Sequence, residues 1–445
     1  MKRFLVMPVL AATITLALLS ACAQPPAAAV TSTLAAAPST PPPPFMAQVV
    51  GVQWLNPLQR RDYPTEWQLL WTLGLVKPNV NDDMVKSEPE LFSTLQMVAS
   101  IATGNDGSET FKGYHHKYVE ALIDKFHDIY FSSSDYFYNA HSRKNKTTWR
   151  ELAGIHVEYA LPEDKLDPIE ASNYTRQYII DTFDIGNAHF PNSWTRNTPP
   201  DVRVTMGGPN AGFTSLAAAM LYLQAHPNET VWTMNWDAPS YPPKDDQLNE
   251  NMVLLVLAGP HYKTGRAPLA WIGLPASNAN ADFTARDQMQ PAALSWKATL
   301  EGALGNAGKR VPDIGFVIHD ANNRLPDSGE RMRHLAHVLA LDVPVFDHTK
   351  QTFNTPALLG EMGAGTALTN VALGIAYANH LGKTVLVAGT SDPARTTAVL
   401  VAPPATVRPI EPDKPWFRAR SGNHAYLMWW GIRHDEQVRM QGWSN

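Results

Sequence analysis

Val202-Arg203-Val204-Thr205-Met206-Gly207-Gly208-Pro209-Asn210-Ala211-Gly212-Phe213-Thr214-Ser215 moves from strand to turn to helix without a break. Val202 to Met206 is β-branched and apolar enough for a strand. Gly207 to Gly212 predicts a tight turn, and Phe213 to Ala225 an alanine-rich helix. Downstream, Thr230 to Trp236 and Val253 to Leu257 read as strands, with Leu269 to Gly273 pairing beside the latter. A second series repeats the alternation. Pro291 to Ala307 predicts a helix, Ile314 to His319 a strand, Glu330 to Ala340 a helix and Val343 to Phe346 a short strand. Gly363 to Asn379 then gives a small-residue helix, followed by strands at Thr384 to Ala388 and Thr397 to Val401.

Upstream of this, Gln48 to Trp54 reads as a buried strand closed off by Pro57. Tyr63 to Leu75 carries Trp67, Leu70, Trp71 and Leu75 at helical spacing. The polar stretch 77–150 predicts an insertion, with a helix over Tyr118 to Tyr130 and a loop over Ser132 to Asp135. Strands alternating with helices favour a layered α/β fold, and the length suits one large domain or two fused halves. The small-residue helices are expected between the sheets. The end of the chain, from Ile410, is rich in proline and tryptophan; Trp429, Trp430 and Trp443 are expected to pack a surface segment or a partner.

Composition narrows the chemistry. The chain has 445 residues, 44% of them hydrophobic, which is ample for a large core. A formal charge of −5 and no long Lys/Arg run speak against a nucleic-acid partner. Its single cysteine, Cys22, follows a positive start at Lys2 and Arg3, an apolar run from Phe4 to Leu19, and Leu19-Ser20-Ala21. Leu-Ser-Ala-Cys resembles the lipobox of bacterial lipoproteins, which implies lipid modification of Cys22 and a membrane contact through that anchor alone. Residues 23–44 are mostly Ala, Pro, Ser and Thr, with no aromatic, and read as a tether. No thiol remains for a disulfide, a nucleophile or a cysteine metal site.

Other motifs are weaker. Gly207 to Thr214 approaches a phosphate-binding loop, but Phe213 stands where that chemistry needs lysine. Gly363-Ala364-Gly365 lacks the third glycine of a dinucleotide fingerprint. His334, His337, Asp347 and His348 read as solvated or core side chains before they read as zinc ligands. No cofactor and no metal are expected. His319-Asp320 ends a strand and opens a loop, a common place for chemistry.

Taken together, the two strand–turn–helix units resemble the thiolase-like fold of ketoacyl synthases, which implies a layered αβαβα core of two similar halves, residues 45–290 and 291–445. The resemblance implies a nucleophilic cysteine at Asn210 or Ala211, where this chain has none. It implies a His-Gly-Thr loop, matched in degraded form from Ile318-His319-Asp320-Ala321-Asn322 to Asp327-Ser328-Gly329-Glu330. It also implies a second histidine where Glu361 stands, ahead of Met362-Gly363-Ala364-Gly365-Thr366. Asn210, Ala211, His319 and Glu361 are therefore read as degenerate active-site positions. Thr214 and Ser215 are poor substitutes, since an alcohol needs an adjacent base.

A narrower resemblance lies in Val52-Gln53-Trp54-Leu55-Asn56-Pro57-Leu58-Gln59-Arg60-Arg61-Asp62-Tyr63-Pro64, with Glu66-Trp67 after it. This stretch is similar to the type VI secretion lipase-adapter family. It implies a non-enzymatic adapter that binds a lipase effector and loads it onto the spike protein of the secretion machine. Two other readings stand beside it: an envelope lipoprotein holding a small acyl ligand, and an enzyme of altered chemistry using His319 with Asp320, Asp327 or Glu361 near Thr214. A signal ending at Cys22 points to the membrane, whereas loading requires the cytoplasm. Oligomeric state stays open; thiolase-like proteins usually form a homodimer through their sheets.

Overall fold

A computed structural model describes residues 44–55, 64–77, 110–130, 154–186, 198–238, 249–263, 267–286, 288–321, 328–342 and 346–410. The signal, the tether, the Ser132–Asp135 loop, Val343 to Val345 and the tryptophans of the last segment lie outside them, as does most of 77–150.

The strands are β1 (Met46–Leu55), β2 (His156–Pro162), β3 (Asp201–Gly207), β4 (Thr230–Asp237), β5 (Asn251–Ala258), β6 (Ala270–Gly273), β7 (Ala276–Ala279), β8 (Ile314–His319), β9 (Thr352–Asn354), β10 (Thr384–Gly389) and β11 (Arg395–Ala402). The helices are α1 (Thr65–Thr72), α2 (Phe111–Tyr130), α3 (Pro168–Thr182), α4 (Ala211–Ala225), α5 (Pro291–Ala307), α6 (Ser328–Asp342), α7 (Thr355–Leu359) and α8 (Thr366–Leu381). All strands join one 11-stranded sheet in the order β3-β2-β4-β5-β1-β6-β11-β10-β8-β9, with β7 on β11.

The register shows an internal duplication. In the first half β2 runs parallel to β3 and β4, and β4 antiparallel to β5. In the second, β8 runs parallel to β9 and β10, and β10 antiparallel to β11. β1 lies antiparallel on β5 as β7 does on β11. Parallel neighbours need crossover connections, and helices supply them: α3 and α4 in one half, α6 and α8 in the other.

Three cores follow from the alternation of strand side chains between faces. The inner faces of both halves share one core: Val231 and Leu255 meet Phe213 and Leu216 of α4, Leu368 and Leu373 of α8, and Val387 and Val399. On the outer face of the first half, Trp232 and Leu254 pack under Phe126 of α2 and Ile179 of α3. Val317, Leu386 and Leu400 do the same under Trp296 of α5 and Leu335 of α6. The layers are thus helix, first half of the sheet, helix, second half of the sheet, helix. The two inner helices approach closely because the contact is built from small residues: a Cβ on Gly212 of α4 would lie 3.0 Å from Cβ of Ala367 on α8.

Several expectations are corrected. β2 and α3 were not expected, although Asp167 caps α3 by accepting from the N–H groups of Ile169 (2.8 Å) and Glu170 (3.0 Å), with Pro168 next. α2 starts seven residues before Tyr118, at Phe111. α4 starts at Ala211, inside the expected turn. β6 pairs with β1 and β11, not with β5, because β1 lies between. β9, at Thr352–Asn354, was not expected; the strand expected over Val343 to Phe346 falls almost wholly outside the described residues. The glycines at 363 and 365 form one 3-10 turn before α8.

Candidate functional site

Asn210 directly precedes α4 and makes no side-chain cap to it. The helix enters against the other half: a Cβ on Gly389, the last residue of β10, would fall 2.3 Å from Asn210 Oδ1 and 2.9 Å from Phe213 Cε2. Only a glycine admits the carboxamide there. Ala211 is buried beside Gly207, whereas Thr214 points to solvent.

His319 ends β8 opposite Ala388 of β10. Ala388 belongs to the outer core, as does Val317, while Phe316 and Ile318 face inward. By the same alternation His319 faces outward, so the sheet separates its imidazole from Asn210. His319 Nδ1 accepts the N–H of Ala321 at 3.2 Å, and burial pushes its pKa down to about 4. Asp320 is committed elsewhere. One of its oxygens accepts the Thr390 N–H (2.5 Å) and Thr390 Oγ1 (2.9 Å), and the other accepts Ser391 Oγ (2.6 Å). Arg331 of α6 donates to the carbonyls of Thr390 and of Ser391, fixing the same turn from behind.

Glu361 sits at a different junction. Its carbonyl accepts the Asn249 N–H at 2.6 Å, just ahead of β5. Beside it, Asp237 at the end of β4 accepts the Ala364 N–H (3.1 Å) and pairs with Lys165 (2.9 Å). Burial raises the Asp237 pKa, and Lys165 opposes that shift. Asn210 and His319 therefore belong with the end of β10, on opposite faces, and Glu361 with the ends of β4 and β5. His319 with Asp320 and Thr214 does not form an acid–base set. Among the described residues no group of three or more metal-ligating side chains gathers; His334 pairs with Glu330 of its own helix at 3.8 Å. No helix among them is long and apolar enough to cross a membrane.

Sequence reasoning missed Lys165–Asp237 and the Arg331 network. An acidic residue ending a strand, as at Trp236-Asp237, was the signal for the first.

Burial of histidines sets a pH dependence. In α2, His115 Nε2 lies 3.1 Å from Tyr159 Oη, and burial pushes its pKa down to about 3. Both His115 and His319 titrate lower in the fold than in the unfolded chain, so unfolding takes up protons below pH 6.5. Their contribution is fully present above about pH 6.5 and is lost as pH falls towards 4 and then 3. By pH 5 each costs about 2 kcal/mol. Urea unfolding at pH 7.5 and pH 5 should show this loss, and His115→Gln should remove about half of it.

A duplicated β-α-β unit with its two inner helices back to back defines a thiolase-like layered α/β protein. Residues 276–403 match the family model for the C-terminal part of type VI lipase adapter protein Tla3. The match runs from the first residue of β7 to one residue past β11, so it covers the second repeat and not the Val52 to Trp67 stretch. No curated protein matches the chain. Among solved structures it is similar to the ishigamide ketosynthase/chain length factor, at 14% identity over 80% of this chain and 99% of the other, with a TM-score of 0.49. The oxazolomycin ketosynthase domain of Streptomyces albus gives 13% identity over 85% and 100%, with a TM-score of 0.49. The peroxisomal 3-ketoacyl-CoA thiolase of Saccharomyces cerevisiae gives 7% over 80% and 97%, with a TM-score of 0.44.

Proposed function

We propose that this protein is a non-enzymatic adapter that binds a lipase effector and loads it onto the spike protein of a type VI secretion system. The observation that carries this reading is the match of residues 276–403 to a type VI lipase-adapter family. Two features support it. The chain has no cysteine beyond Cys22, so Asn210 and Ala211 leave the start of α4 without a nucleophile. Asp320 is also bound to Thr390 and Ser391, where an acid–base role would need it free. Loading places the working pool in the cytoplasm, with Cys22 unprocessed in that pool; palmitate labelling of cell fractions reads this directly.

A tagged full-length chain should capture a lipase effector and a spike protein from secreting cells, and should not consume acyl thioesters. Absence of a stable complex with lipase, or sustained acyl turnover, would reverse the assignment.

A further inference from the structure

Between α4 and the sheet lie three buried side chains whose polar atoms meet no partner. Alternation along β4 puts Trp232, Met234 and Trp236 in the outer core and Val231 in the inner one, so Thr233 and Asn235 face inward. Thr233 Oγ1 and both carboxamide atoms of Asn235 are unbonded, and so is Ser215 Oγ on α4. All three residues are 0% exposed.

The register brings them together. Asn235 stands opposite Ala160 of β2, and Ala160 opposite Thr205 of β3. α4 runs back over β2: its Tyr222 ring stacks on His156, the first residue of that strand, at 4.0 Å. From Tyr222 to Ser215 is two helical turns on one face, about 10.5 Å. From His156 towards Ala160 the strand covers about 3.3 Å per residue. Ser215 is thus level with the Ala160–Asn235 pair, where the Ala160 side chain is a single methyl group.

We infer that Ser215, Thr233 and Asn235 form a binding site for ordered water, roofed by α4 and floored by Ala160. A carboxamide offers two donors and two accepting lone pairs. A buried polar group left without a partner is destabilising, and bound water removes that penalty by bridging polar neighbours.

The test is a crystal structure of the full chain at a resolution that shows water, together with Ala160→Val. The expected result is water within about 2.7–3.2 Å of the Asn235 amide and Ser215 Oγ. The valine methyls would displace it and lower Tm by several degrees. Carboxamide and hydroxyls bonded directly to protein groups, with no water between them, would overturn the inference. So would a higher Tm for Ala160→Val, which would mean that the space is dry and better filled. Neither result bears on lipase capture, so the adapter assignment stands or falls separately.

Discussion

Asp320→Ala should lower folding stability by about 3–5 kcal/mol, the range for removing one member of a buried charged network. Asp320 is 1% exposed and accepts from the Thr390 N–H and from the hydroxyls of Thr390 and Ser391. Alanine strips the acceptor from three donors on the buried residues Thr390 and Ser391. It also removes the nearby carboxylate from the turn whose carbonyls hold the buried Arg331. Asp320→Asn should cost less, since its oxygen can keep the Thr390 pair while its NH₂ faces the Ser391 side. Urea unfolding of the two variants reads the difference. A loss below about 1 kcal/mol for the alanine would mean that the turn after β10 is held by its backbone alone.

Gly389→Ala should be the more disruptive change for its size. One methyl group placed 2.3 Å from Asn210 Oδ1 and 2.9 Å from Phe213 Cε2 must push α4 off the second half of the sheet. Overpacking of this kind costs about 1–3 kcal/mol. The cause can be separated by a double-mutant cycle. Asn210→Ala removes the nearer obstacle, so Asn210→Ala with Gly389→Ala should be more stable than the sum of the single losses by about 1 kcal/mol or more. Additive losses would place the strain on Phe213 instead. Thermal unfolding of the four proteins decides it.

The second half was readable because its periodicities are undiluted: α5 and β8 fall where the residues put them, at Pro291–Ala307 and Ile314–His319. The first half hid β2. His156-Val157-Glu158-Tyr159-Ala160 alternates, but its inward residues include a histidine and a glutamate, bonded to each other at 2.6 Å. Polar residues facing a core erase the contrast on which a strand is recognised. β9 went unread because three residues carry too little pattern to be told from a turn. Of the candidate residues, the places of His319 at a strand end and of Asn210 between strand and helix were legible, and their company was not. That Asn210 and His319 lie on opposite faces of a sheet depends on register, and register comes from pairing between segments far apart in the chain.

The two inner helices each begin against the opposite half of the molecule: α4 at Gly389, and the turn into α8 at Asp237. A fragment cut at the boundary of the repeats would therefore leave one helix end bare and half of the central core facing water. Residues 276–403, the part matched by the adapter family model, should not survive as an isolated module. Engineering that transplants this region must carry both repeats, because they share one central core.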